Sequence, residues 1–196
     1  MSADTFPGLA GKLLIAMPGM SDPRFHKALI FMATHTAEGA MGLVVNAPLP
    51  GVSFADLIEK IKLTDSFKNE LRGLDMRVLS GGPVETTRGY LLHSGDFTLR
   101  DTIHVGGPGG RYGVSGTIEA LRALAAARGP RQKIFMLGHA GWGAGQLDEE
   151  LRANVWLTAE ADPNIVFHAA PEEKWALAIQ TLGADPAMLS GVAGSA

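Results

Sequence analysis

The chain has 196 residues, 46% of them hydrophobic, and its 17 Lys and Arg against 20 Asp and Glu leave a formal charge of -3. That length supports one domain, 1–196, with a sizeable core, and the lack of a basic excess disfavours a protein whose affinity rests on neutralising nucleic-acid phosphates. No cysteine is present, which excludes disulfides, thiolate zinc sites and thiol nucleophiles, and no apolar run reaches the roughly 20 residues of a membrane span, so a cytoplasmic protein is expected.

Residues 1–11 read as a loose arm. Lys12 to Met17 predicts a strand stopped by Pro18 and Gly19. After turn chemistry at Ser21 to Phe25, Ala28 to Ala33 predicts a second strand. Thr36 to Ala40 links it to a third, Met41 to Val45, as a hairpin with a longer loop. Ser53, with Asp56 three residues on, caps a helix whose apolar face is Phe54, Leu57, Ile58 and Ile61. Residues 62–75 read as polar and mobile. Strands follow at Arg77 to Leu79 and Gly89 to His93, with a short one at Ile103 to Val105 before a glycine-rich loop, Gly106 to Gly116. Ile118 to Arg128 predicts a helix with Ile118, Leu121, Leu124 and Ala125 on one face, stopped by Gly129-Pro130.

The next stretch, Leu137 to Leu157, is the one around which the chain is organised. Lys133 to Leu137 (KIFML) is a buried-strand pattern running into a loop of alternating glycines, Gly138 to Gly145. A helix begins near Gln146, with Leu147, Leu151 and Val155 on one face and Asp148, Glu149 and Glu150 in its first turns. A glycine loop feeding a helix is also how phosphate is cradled. Here three carboxylates occupy the end an anion needs, and the loop holds no Lys or Arg. The favoured reading is a stiff glycine bend that folds Trp142 onto the sheet, leaving it the one exposed tryptophan.

Asn154 to Thr158 turns extended, and Ile165 to His168 predicts a last strand. Pro171 opens a helix over Glu172 to Leu182, with Trp175, Ile179 and Leu182 inward and Gly183 ending it. Residues 188–196 read as frayed. Strands come mostly in consecutive pairs with helices between, which predicts an α+β fold with a mixed, largely antiparallel sheet.

GKLLIAMPGMSDPRF, the H-x-x-x-GAMGLVVN pattern from His35 to Asn46, GGPVE at Gly81 and LLH at Leu91 stand in order along the chain. They are followed by GWGAGQLDEEL at Gly141, NVWL at Asn154, IVF at Ile165 and KWALAIQTLG at Lys174. In that register the chain resembles the YqgE/AlgH family over nearly its whole length. The resemblance implies a mixed sheet curled into a barrel-like body flanked by helices, and a regulator of transcription. It carries no catalytic residue set. The glycine-rich Gly106 to Gly116 departs from the family's more ordinary strand-to-helix link.

The six histidines show no zinc spacing, though His93, His139 and His168 each end a predicted strand. Neither G-x-G-x-x-G nor G-x-x-x-x-G-K occurs, and no G-x-S-x-G elbow accompanies Ser80 or Ser94. No metal or cofactor is therefore expected. The candidate binding residues are Asn46, Gly81, Gly82, His93, His139, Trp142 and Gln146. The leading reading is a non-enzymatic regulator that binds a protein partner or a small molecule, with direct DNA contact disfavoured. The alternative is a small-molecule hydrolase with its pocket near Gly81-Gly82, His93, His139 and Trp142.

Overall fold

The computed structural model describes residues 8–61, 64–74, 76–106 and 109–189. In chain order it has β1 (Lys12–Ala16), β2 (Leu29–Thr36), β3 (Gly39–Val44), α1 (Phe54–Lys60), α2 (Asp65–Arg72), β4 (Val78–Ser80) and β5 (Val84–Ser94). Then come β6 (Ile103–Val105), β7 (Tyr112–Gly116), α3 (Thr117–Ala125), β8 (Lys133–Gly143), α4 (Gln146–Arg152) and β9 (Trp156–Glu160). A π-helical turn (Asn164–His168), α5 (Pro171–Thr181) and α6 (Pro186–Leu189) complete it.

Among the described residues, nine strands form one sheet in the order β6-β7-β5-β8-β3-β2-β1-β9, with β4 joined to β8. All pairings are antiparallel except β4 with β8. The sheet curls into a half-barrel carrying helices, the α+β architecture read from the chain. β8 is its hub. Its residues up to His139 pair with β4 and β5, whereas Ala140 to Gly143 pair with β3. Gly138, at the changeover, has φ +75°, a conformation in which a side chain is strained. A Cβ there would also lie 2.5 Å from the Gly82 carbonyl oxygen.

Burial follows the two-residue period of the strands. Leu13, Ile15, Leu29, Phe31, Leu43, Leu92 and Met136 face one core cluster, which α5 closes with Trp175 and Ile179. The intervening Leu14, Ile30, Met32 and Val44 join Ala140, Trp142, Leu147 and Trp156 in a second cluster under α4. Leu91 and Phe135 face a third, beneath α1, α2 and α3. Strands covered on both faces explain the continuous apolar runs.

Several expectations are corrected. The Gly138 to Gly143 segment is strand, not loop, so Ala140 and Trp142 alternate onto the α4 side and Trp142 is buried at 8% exposure. The run at Ile165 is a π-helical turn: Asp162 accepts from the Asn164 N–H and starts a helical bend. A four-residue apolar run cannot distinguish the two outcomes. Tyr112–Gly116 is strand β7, within the expected glycine loop, and Gly107 and Pro108 lie outside the described residues. The polar stretch holds helix α2, which buries Leu71; residues 62, 63 and 75 lie outside the described residues. β2 and β3 approach to a two-residue turn, tighter than the expected loop. Leu9 is buried and its N–H donates to His35 Nδ1, so that part of the arm is seated. The loose arm expected over residues 1–7 and the fraying expected over 190–196 lie outside the described residues. Ile118 and Leu182, expected inward, are exposed at helix ends.

Candidate functional site

The seven residues singled out in the sequence separate into four places. Asn46 receives the Leu29 N–H and donates to the Lys27 carbonyl, both at 2.8 Å, and so ties β2 to the end of β3. Gly81 and Gly82 lie against Gly138 and His139 of β8, where an added Cβ would stand 2.2 and 2.3 Å from backbone atoms. The His139 ring, on the same crossing, has Tyr90 Oη 3.3 Å from Nδ1 and Glu85 3.8 Å away. Burial pushes His139 below its ordinary pKa and Glu85 opposes the shift.

His93 is fully buried. Its Nδ1 donates to the Ser94 carbonyl at 2.9 Å, so Nε2 accepts from the Ser115 hydroxyl at 2.8 Å. Ser115 Oγ in turn lies 2.7 Å from the Thr102 hydroxyl, which accepts the Leu99 N–H. A hydroxyl donating to an oriented imidazole is the arrangement of an activated nucleophile. Both members are at 0% exposure, however, so the pair is sealed. Burial holds the His93 pKa below its ordinary value.

Trp142 and Gln146 meet at Glu150, whose sequence position marks only a helix-start charge. The Glu150 carboxylate accepts from Trp142 Nε1 at 2.9 Å, Trp156 Nε1 at 2.7 Å and Gln146 Nε2 at 2.9 Å. Gln146 Oε1 accepts the Gly143 N–H. This cluster locks α4 onto β8 and β9. His93, His139 and His168 have different partners, and no cluster of three or more His, Asp or Glu able to hold a metal occurs among the described residues.

A different place gathers charge. Residues leading into β4, the start of β8 and the segment from the π-helical turn into α5 enclose a cleft of about 350 Å³. Arg77, Arg131, Lys133 and Lys174 line it with His168 and Gln132, and among the described residues no Asp or Glu does. Arg131 is held at the rim by Asp96, 3.5 Å from Nε, and Lys133 Nζ donates to the Pro130 carbonyl. Among the described residues Arg77 has no ion pair.

Lys174 is only 2% exposed. Its Nζ donates to the Val45 carbonyl at 2.9 Å and the Val166 carbonyl at 2.7 Å. Among the described residues the third N–H of the ammonium has no acceptor. Burial, with Arg77 nearby, lowers its pKa to about 8. The sequence reading missed this residue. A signal was there: Lys174 shares the inward face of α5 with Pro171 and Ala178, where a cation is out of place. The π-helical turn supplies Val166, Phe167 and His168, and such departures from regular helix concentrate at functional sites.

No helix among the described residues is long and apolar enough to cross a membrane. The AlgH-like family model matches residues 13–187. A UPF0301 protein of Rhodospirillum rubrum is 45% identical over 188 residues, covering 96% of this chain and 94% of that one. A second, from a Jannaschia species, is 44% identical over 190 residues, covering 96% and 95%. The solution structure of the AlgH protein from Pseudomonas aeruginosa matches with a TM-score of 0.77 and 37% identity over the full length of both chains. Protein DIP2367 from Corynebacterium diphtheriae, at 18% identity and a TM-score of 0.67 over 97% of this chain and 93% of that one, shares the fold. With a family model and close relatives matched along nearly its whole length, this chain belongs to the AlgH-like (UPF0301) family.

Proposed function

We propose that this protein is a non-enzymatic regulator that acts by binding a small anionic ligand in the basic cleft between β4, the start of β8 and α5. The single observation that carries the reading is Lys174. An ammonium almost wholly removed from water, lining a cleft in which the described residues supply no carboxylate, is costly unless an opposite charge joins it. Arg77 and Arg131 add donors of the geometry that suits phosphate or carboxylate. The regulatory role comes from the family resemblance. Direct DNA contact is not part of the reading, because a 350 Å³ recess does not admit a duplex. Nor is hydrolysis, since the Ser115 hydroxyl that meets the His93 imidazole is sealed in the core.

Calorimetric titration with inorganic pyrophosphate at low salt tests the reading. Wild-type protein binds, and Arg77→Ser, a change at an exposed position, weakens binding at least about ten-fold, which is about 1.4 kcal/mol. No binding, or binding indifferent to Arg77, rules the reading out.

A further inference from the structure

The anion cleft has a second half that charge does not explain. Phe167 lines it beside Leu79 and Ile134. One side of the Phe167 ring is taken by Tyr112, stacked at 5.9 Å with 29° between planes. Tyr112 packs on Phe31 at 4.9 Å, and its hydroxyl donates to the Ala161 carbonyl at 2.7 Å. Phe31 and Tyr112 are buried, so the three rings form a column anchored in the core whose last member, Phe167, is only partly buried at the cleft. A ring wall fixed in advance costs little further ordering when a ligand stacks beside it.

The geometry points to a ligand that carries both features: a phosphomonoester bearing one planar aromatic ring, of mononucleotide size. Its phosphate seats among Lys174, Arg77 and Arg131, and its ring lies along the Phe167 side of the cleft. The volume of about 350 Å³ is at the small end of small-molecule sites, which suits one ring and one or two phosphate groups better than a dinucleotide. Aromatic stacking is tolerant of base identity, so adenine and uracil are both accepted. This inference rests on the anion reading of the same cleft and adds the ring.

The test compares adenosine 5′-monophosphate and uridine 5′-monophosphate with ribose 5-phosphate, which carries the same phosphate without a base, and with inorganic pyrophosphate. Both nucleotides are expected to bind at least about ten-fold tighter than ribose 5-phosphate, the scale of one stacked base. Phe167→Leu abolishes that difference and leaves ribose 5-phosphate affinity in place. Phe167→Tyr keeps the difference, which guards against a folding defect in the leucine variant. Equal binding of nucleotide and ribose 5-phosphate, with pyrophosphate still bound, overturns the ring assignment and leaves the anion reading standing. Failure of all four ligands overturns both.

Discussion

Two buried bases, His93 and Lys174, behave differently because their surroundings differ. His93 is satisfied on both ring nitrogens by acceptor and donor of the neutral form. Its pKa is depressed by burial, so the unfolded chain takes up a proton near pH 6.5 while the folded chain does so only at lower pH. Unfolding therefore binds protons in that interval: the stabilising contribution is present above pH 6.5 and is lost as pH falls through the folded value. His139 adds in the same direction. Denaturant midpoints measured from pH 7.5 to 5 should fall in the wild type, and the fall should be shallower in His93→Gln; equal slopes would show that His93 does not contribute. Lys174 has no such neutral network. Two of its N–H groups donate to carbonyls, and it lines a cleft with other cations.

At the scale of elements, β8 decides how the two parts of the sheet meet, and Gly138 lets it do so. Gly138→Ala meets both a positive φ and the Gly82 carbonyl, so a loss of at least about 3 kcal/mol is expected. Gly145→Ala has a φ of +73° but nothing within 4 Å, so it costs only about 1–2 kcal/mol. Urea unfolding of both variants checks the contrast, and equal losses would mean that the crossing with Gly81-Gly82 is not tight. The importance of this glycine stretch was legible in the sequence; its form was not. Alternating glycines signal close approach, but they do not reveal that Gly82 and Gly138, far apart in the chain, are each other's reason. Ser53 with Asp56 announced α1 because the capping box is local, and both of its hydrogen bonds are present. Ile165 to His168 misled because a short apolar run has no period of its own. The cleft was illegible for a related reason: Arg77, Arg131 and Lys174 come from three separate segments, and only folding makes them neighbours.

For the whole molecule, a formal charge of -3 coexists with a recess lined by two arginines and two lysines and, among the described residues, by no carboxylate. Net charge speaks to solubility and long-range steering, whereas a cleft concentrates local potential. The half-barrel supplies the frame. β4 and β8 hold one wall, α5 closes the core with Trp175 donating to the Ala16 carbonyl, and Lys174 spans from α5 to the residue after β3. An anion in the cleft would complete that frame and favour the charged form of Lys174. The most direct measurement is an NMR pH titration of the Lys174 side chain with and without saturating pyrophosphate. The account predicts a midpoint of about 8 in the free protein, displaced upward when pyrophosphate is present. A midpoint that pyrophosphate leaves in place, or an ordinary lysine midpoint near 10.5 in the free protein, contradicts it.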